Sequence, residues 1–404
     1  MDTHTHSTRT RNSPAPASGD NLRIAMLAPP WIPVPPPAYG GIESVVAMLC
    51  DELTARGHQV TLFAAPGSRS PATVLEVLDE PHPETIGSAL HESDHVARAW
   101  DELDRAAERG MPFDLVHDHC GFTALAMAAR VGAPVIHTLH GPFTAETAAF
   151  YERHGPKCHL VAISNAQKDS SPPGVRPCAV VPNPVAIEDW PLRTEKDDYL
   201  LWMGRMDPVK GPHRAIAAAR ASGRRLVLAG PVQPGQEEFF RRHVEAELDG
   251  SDVVFVGEVG GAARKELFAR ASALLMPIRW VEPFGMVMVE ALACGTPVVA
   301  FPEGAASEIV IDGENGFLVS DEQQMSEAIE RLGRIEPSNC RATVAERYGA
   351  AAVAERYEGV YRAALEAKLR PSRERRRRSR TSKLQRTSPP PVIRGTKPAA
   401  QTAG

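Results

Sequence analysis

Short apolar runs that end in polar loops alternate along this chain with helical stretches, and that alternation restricts the fold more than any other feature. The first cycle reads LRIAMLA, then IESVVAMLCDELTAR, then HQVTLFA. Further β-type runs follow: FDLVH (113–117), PVIHTL (134–139), HLVAI (159–163) and CAVVP (178–182). Strand alternating with helix predicts βαβ units and a parallel sheet. The rhythm breaks at the polar, irregular segment Ile187–Asp198 and then restarts. YLLWMG, a helix from Pro212, RRLVLAG, DVVFVG, a helix near Arg264–Ala271, ALLMPI, a helix from about Met286, and TPVVAF complete the second series. The expected fold class is therefore α/β, with two Rossmann-like, doubly wound parallel-sheet domains at 21–190 and 191–345. An amphipathic pattern over Ala342–Leu369, with Tyr348, Tyr357 and Tyr361 on its apolar face, predicts a closing helix, bounded as 346–369. Ligands of such sheets bind beyond the carboxyl ends of the strands, so two facing sheets would share a cleft.

Composition narrows the class. The longest apolar run, Met286–Phe301, is interrupted by Glu290, so no segment resembles a membrane span of roughly 20 residues. Residues 1–20 lack an apolar core and read as disordered, not as a secretory signal. Six cysteines without a CxxC pair fit reduced thiols in a cytoplasmic protein. The net charge of −5 conceals an asymmetry: eleven Lys or Arg face one Glu from Arg370 onward. An acidic body thus carries a basic tail, 370–404, expected to be disordered. Its Arg run gives generic, salt-sensitive attraction to nucleic acid or anionic lipid; a solvated tail without a partner is the plainer reading. Any membrane contact would be peripheral and through this tail.

Three strand-to-helix loops carry the candidate chemistry. In PPWIPVPPPAYGGIE, Gly40-Gly41 precede a helix, where glycine permits close approach and free N–H groups suit an anion; a tight turn is the alternative. No GxGxxG is present, which disfavours a dinucleotide-binding dehydrogenase. GRMDPVKG places Arg205 and Lys210 around a turn into a helix opening at Gly211-Pro212, two cations suited to a pyrophosphate. They could equally be solvated loop cations. RWVEPFGMVMVEALACG sets Glu282 before a helix and Glu290 inside it, with Phe284, Gly285 and Met286 offering amides at the helix start. Glu282 could be a solvated loop acid, and Glu290 an acid paired with an internal cation, since a lone buried acid is costly.

These segments in this order resemble the retaining GT-B glycosyltransferases of family 4, over about Leu22–Leu369. The matching residues are Gly40-Gly41-Ile42-Glu43, His140-Gly141, Gly204-Arg205 through Lys210-Gly211, and Glu282 with seven residues to Glu290. The resemblance implies that Arg205 and Lys210 hold the donor diphosphate and that Gly41 faces it from the other domain. It implies Glu290 on the ribose hydroxyls, Glu282 on the transferred sugar, His140 near the reacting face, and the Phe284–Met286 amides around sugar or phosphate. The implied catalytic set is Glu282, His140, Arg205 and Lys210. The expected reaction is transfer of a hexose from a nucleotide sugar, UDP-glucose as first choice, to a hydroxyl acceptor with retention. The acceptor classes left open are small molecule, lipid and glycan. The Pro-rich first loop is similar to that of bacterial enzymes glucosylating small molecules such as pterins.

No DxD triplet of the metal-binding type lies near the cleft loops, so the expectation is a metal-independent enzyme without a cofactor. His117-Asp118-His119-Cys120 would alternate in direction along a strand and converge poorly on one ion; Asp118 or His119 touching the acceptor is the preferred reading. Trp31 and Tyr39 either line an acceptor site or pack within the Pro-rich loop. Ser164-Asn165 reads as an N-cap, and Asn183, followed by Pro184 where the family commonly has Gly, is given no role. Two other functions compete. A GT-B nucleotide-sugar 2-epimerase would change a UDP-sugar without any acceptor. A non-catalytic protein would bind anionic surfaces through the tail alone.

Overall fold

The computed structural model of the chain describes residues 21–37 and 40–386, with side chains through Lys368. Tyr39, the expected segment 1–20 and the end of the tail, 387–404, lie outside the described residues. The first half contains β1 (Arg23–Leu27), α1 (Gly41–Ala55), β2 (Gln59–Ala64), β3 (Thr73–Glu76), α2 (Ala89–Glu108), β4 (Leu115–Asp118), α3 (Phe122–Met127), β5 (Val135–Thr138), α4 (Ala145–His154), β6 (His159–Ala162), α5 (Asn165–Asp169) and β7 (Ala179–Val180). The second contains β8 (Leu200–Met203), α6 (Pro212–Ala221), β9 (Leu226–Ala229), α7 (Glu237–His243), β10 (Val253–Phe255), α8 (Gly261–Arg270), β11 (Ala273–Met276), α9 (Met286–Ala293), β12 (Val298–Ala300), α10 (Ala306–Ile309), β13 (Gly316–Leu318) and α11 (Glu322–Ile329). Helices α12 (Pro337–Tyr348) and α13 (Ala350–Arg386) close the described chain.

The strands form two parallel sheets, ordered β3-β2-β1-β4-β5-β6-β7 and β10-β9-β8-β11-β12-β13. The two-residue period of β1 explains how helices cover both faces. Ile24 and Met26 pack with α1 residues Val46 and Leu49, whereas Ala25 and Leu27 face Trp100 of α2. Both faces being buried, the strands read as nearly continuous apolar runs. In each sheet the order reverses beside the first strand, between β1 and β4 and between β8 and β11. Such switch points leave a crevice at the strand ends, and the four loops that matter emerge there.

The closing helix differs from expectation in two ways. It is broken at Gly349, and its second part runs to Arg386, beyond the anticipated end at 369. Hydrophobic periodicity cannot register the break because both parts keep apolar faces; what changes is the partner. Cys340, Val344 and Tyr348 pack in the core of the second sheet. Val353, Tyr357, Tyr361 and Ala364 pack with α1 in the core of the first. At the crossing, Val185 N–H donates to Tyr348 O at 2.8 Å. Two strands, β3 and β13, carried no signal strong enough to be read; both are short and sit at sheet edges.

Candidate active site

A cleft of about 760 Å³ lies between the two sheets. Its second-half wall is made by the loops after β8, β9, β10 and β11, with Arg264 of α8. Gly211, with φ of 74°, caps α6, and a Cβ there would lie 2.4 Å from Pro277 O, so only glycine lets the two loops touch. The Arg279 N–H donates to Val209 O at 2.9 Å, and Trp202 Nε1 donates to Lys210 O at 3.2 Å. The backbone of Lys210 is thereby fixed, and its ammonium forms an ion pair with Glu282 Oε2. Trp280 supports both partners: Nε1 donates to Glu282 Oε2 at 2.9 Å, and its ring lies 4.4 Å from Lys210 Nζ. Glu282 is 8% exposed, so it is not a solvated loop acid. Its main chain is seated on Gly304, where a Cβ would fall 2.3 Å from Glu282 N.

Gly285 caps α9 in the left-handed region, φ 87°, which turns the chain sharply from loop to helix. Among the described residues, the amides of Phe284, Gly285 and Met286 donate to no protein acceptor, leaving the positive end of α9 open toward the cleft. The Phe284 side chain points away into the core, edge-on to Tyr348 at 5.6 Å. Glu290 is 8% exposed and ion-paired with Arg264 of α8. The paired-acid alternative thus describes its present state, and it is Arg264, not Glu290, that lines the cleft. Arg205 is exposed on the cleft wall, its Nη1 donating to Gln233 at 3.2 Å.

The first-half wall is built differently. The Pro-rich loop brings Trp31 and Ile32 to the cleft and delivers the chain into α1 at Gly40. Gly40 is extended; it is small because a Cβ would meet Ile32, Pro36 and Glu43 at 2.7–2.9 Å. Ser44 N–H makes the first helical bond to Gly40 O at 3.0 Å, so the Gly41 and Ile42 amides remain open at the cleft. Glu43 is 6% exposed there, and burial pushes its carboxyl above the usual range.

His140 lines the cleft after β5, with a histidine network behind it. Its Nε2 lies 2.9 Å from His119 Nδ1. His117 bonds the Tyr361 hydroxyl at 2.7 Å and the Thr138 hydroxyl at 2.9 Å, and Thr138 in turn contacts the Tyr357 hydroxyl at 2.9 Å. Burial drives His140 down to about 3, with His137 adding to the effect, and holds His117 and His119 well below the ordinary histidine value. All three rings are neutral at physiological pH. Gln167 of α5 donates to both Leu139 O and Gly141 O at 3.0 Å, clamping the loop on either side of His140. The first turn of α5 is capped by Ser164, as the sequence indicates, and also from the other half of the molecule. Glu308 accepts from Asn165 N, Asn165 Nδ2 and Ala166 N at 2.7–2.9 Å.

Asp118 and His119 do not meet the expectation of acceptor contact. Both are fully buried and absent from the cleft wall. Asp118 accepts from Cys120 N at 2.9 Å and bonds His137 Nδ1 at 2.5 Å, while His119 reaches the cleft only through His140. Sequence reasoning missed Trp280, Arg264, Glu43, Gln167 and Glu308. A signal existed for Glu43, which stands in the Gly-Gly-Ile-Glu segment. Arg264, in a helix rich in charges, is indistinguishable from a surface cation by pattern.

The family model described as Glycosyltransferase Family 4 matches residues 39–189, and the one described as Glycosyl transferases group 1 matches residues 187–348. The boundary between them falls in the Ile187–Asp198 break. A D-inositol 3-phosphate glycosyltransferase of Acidothermus cellulolyticus is 28% identical, covering 88% of this chain and 94% of that one. The crystal structure of AviGT4, a glycosyltransferase involved in avilamycin A biosynthesis, is 29% identical with a TM-score of 0.61, covering 85% and 98%. HepE of Anabaena, solved with UDP-glucose, shares the fold at 21% identity and a TM-score of 0.62, covering 85% and 100%.

Proposed function

As a member of the family 4 (group 1) glycosyltransferases with the GT-B fold, the chain is a glycosyltransferase, and we propose that it moves a hexose from UDP-glucose to a hydroxyl acceptor with retention and without a metal. The observation that carries this reading is the convergence, in one cleft, of Lys210, Arg205, the open amino end of α9 and the open amides of Gly41 and Ile42. Breaking a glycosyl–phosphate bond places growing negative charge on the leaving diphosphate. Fixed cations and amides aimed at that charge stabilise the transition state more than the ground state. Lys210, prepositioned by Trp202 and Trp280, supplies the compact charge, and Arg205 the planar fork.

Glu282 contacts a hydroxyl of the transferred sugar, its carboxylate already oriented by Lys210 and Trp280. For Glu290, ion-paired with Arg264 and off the cleft wall, to accept from the ribose hydroxyls, Arg264 must give up the carboxylate as the donor binds. The first-half wall receives the acceptor, which attacks from the face the diphosphate leaves.

His140 acts as a hydrogen-bond donor to the sugar. His119 Nε2 is buried without a partner among the described residues. An orphaned N–H is rarer and dearer in a protein interior than an unused acceptor, so the His119 proton resides on Nδ1 and is given to His140 Nε2. That leaves the His140 proton on Nδ1, the other ring nitrogen of a residue that lines the cleft.

The test is the NMR anomeric coupling of the product formed from UDP-glucose in metal-chelated buffer. An α-linked product supports the reading. A β-linked product overturns retention, and a UDP-sugar converted without any acceptor points to an epimerase instead.

A further inference from the structure

The two walls of the cleft differ in charge, and the difference bears on which acceptor fits. Resting on the transferase reading above, we propose that the acceptor is an uncharged alcohol with a flat apolar body, and that it bears no phosphate. Every Lys or Arg lining the cleft among the described residues, Arg205, Lys210 and Arg264, belongs to the second half. The first-half wall has none. Its apolar surface includes Pro29, Pro30, Trp31, Ile32, Ile42 and Ile86, and its ionisable groups are the carboxyls of Glu43 and Glu92, the Cys120 thiol, pushed up by burial, and the neutral ring of His140.

A phosphate-bearing acceptor placed there would lose water without gaining a cation, the Glu92 carboxylate would face it, and the open Gly41 and Ile42 amides are already assigned to the donor diphosphate. Desolvating an unpaired anion costs several kcal/mol, and like charges add to it. Flat rings and aliphatic side chains reward the opposite kind of ligand. Trp31 lines the cleft while only 8% exposed, and Ile86, 66% exposed at the cleft, leaves apolar surface unpartnered where an acceptor's body would emerge. Glu43 supplies the polar anchor. Glu43 is 6% exposed, its carboxyl has no side-chain partner among the described residues, and burial raises that carboxyl above the usual range against a bond to its own backbone. It can bond an acceptor hydroxyl without requiring a counter-charge. The D-inositol 3-phosphate named for the Acidothermus relative is therefore the wrong chemistry for this wall.

Calorimetry with two probes tests the proposal. UDP is first titrated into the protein, and failure of UDP to bind would count against the donor reading, separately from the acceptor. The UDP-loaded protein is then titrated with 2-naphthol and with myo-inositol 3-phosphate. Naphthol is expected to bind, inositol phosphate is not, and naphthol affinity should fall at least tenfold in Trp31→Ala and in Ile86→Asp. Ile86 lies at the surface, so its variant keeps the fold if Trp31→Ala does not. Tighter binding of inositol phosphate, naphthol binding indifferent to Ile86→Asp, or binding of neither probe to the UDP-loaded protein overturns the proposal.

Discussion

The two halves of this molecule share one strand order over six strands, the first adding β7 at its edge, and build different kinds of wall. The second half positions its functional groups with ion pairs, Lys210–Glu282 on loops locked by glycine contacts and Arg264–Glu290 between α8 and α9. The first half positions His140 with neutral hydrogen bonds, through His119 and the Gln167 clamp, over buried histidines tied to α13. The same scaffold thus serves two electrostatic tasks. One wall keeps paired charges that a charged donor can draw on. The other carries no lysine or arginine among the described residues that line the cleft and presents mostly apolar side chains.

Removing the cation of the charged wall should have the largest consequence. Lys210→Ala is expected to lower kcat by a factor equivalent to about 2–4 kcal/mol, as for loss of an oxyanion donor, read in steady-state kinetics. Unchanged kcat would break the comparison at its strongest point. Glu290→Gln should mainly raise the donor KM, by about 1–3 kcal/mol, because the ribose is remote from the reacting bond. A fall in kcat at constant KM would reassign Glu290 to the chemistry.

The neutral wall should reveal itself through pH. His95, buried on α2 behind that wall, is pushed down to about 4 by burial, and His117 and His119 are also depressed. Unfolded, each titrates near 6.5, so below that pH the unfolded chain binds more protons than the folded one. Their contribution is complete above about pH 6.5 and is lost as pH falls toward the folded value. Each such histidine costs up to about 1.4 kcal/mol per pH unit in that window. Thermal melting between pH 7 and 5 should show a steep acid loss, and a flat profile would contradict the neutral network. Tyr361→Phe is expected to cost about 1–3 kcal/mol in urea unfolding, by leaving His117 Nδ1 unpaired. Deleting 370–404 should change turnover least of all, and retention on vesicles containing anionic lipid, compared with the full chain, separates a solvated tail from a lipid contact.

The sequence made the strand-helix rhythm legible because both sheets are buried on two faces, so each strand is an apolar run bounded by polar loops. It made Lys210, Glu282 and the α9 start legible because loop chemistry is local. It could not show that Arg264 meets Glu290, that Glu308 caps α5 from the opposite half, or that α13 crosses back to bond His117. Those contacts join residues 26, 143 and 244 positions apart, and nothing in a local pattern fixes such distances. Asp118 and His119 were misjudged for a related reason: a polar strand end looks the same whether it faces a ligand or the histidines of a neighbouring strand and loop.

The division of labour between the walls is tested most directly by calorimetric UDP affinity measured on Glu290→Gln and Ile86→Asp in parallel. The account predicts weakening of about tenfold or more in Glu290→Gln and wild-type affinity in Ile86→Asp. Equal losses in both, or loss in Ile86→Asp alone, would contradict it.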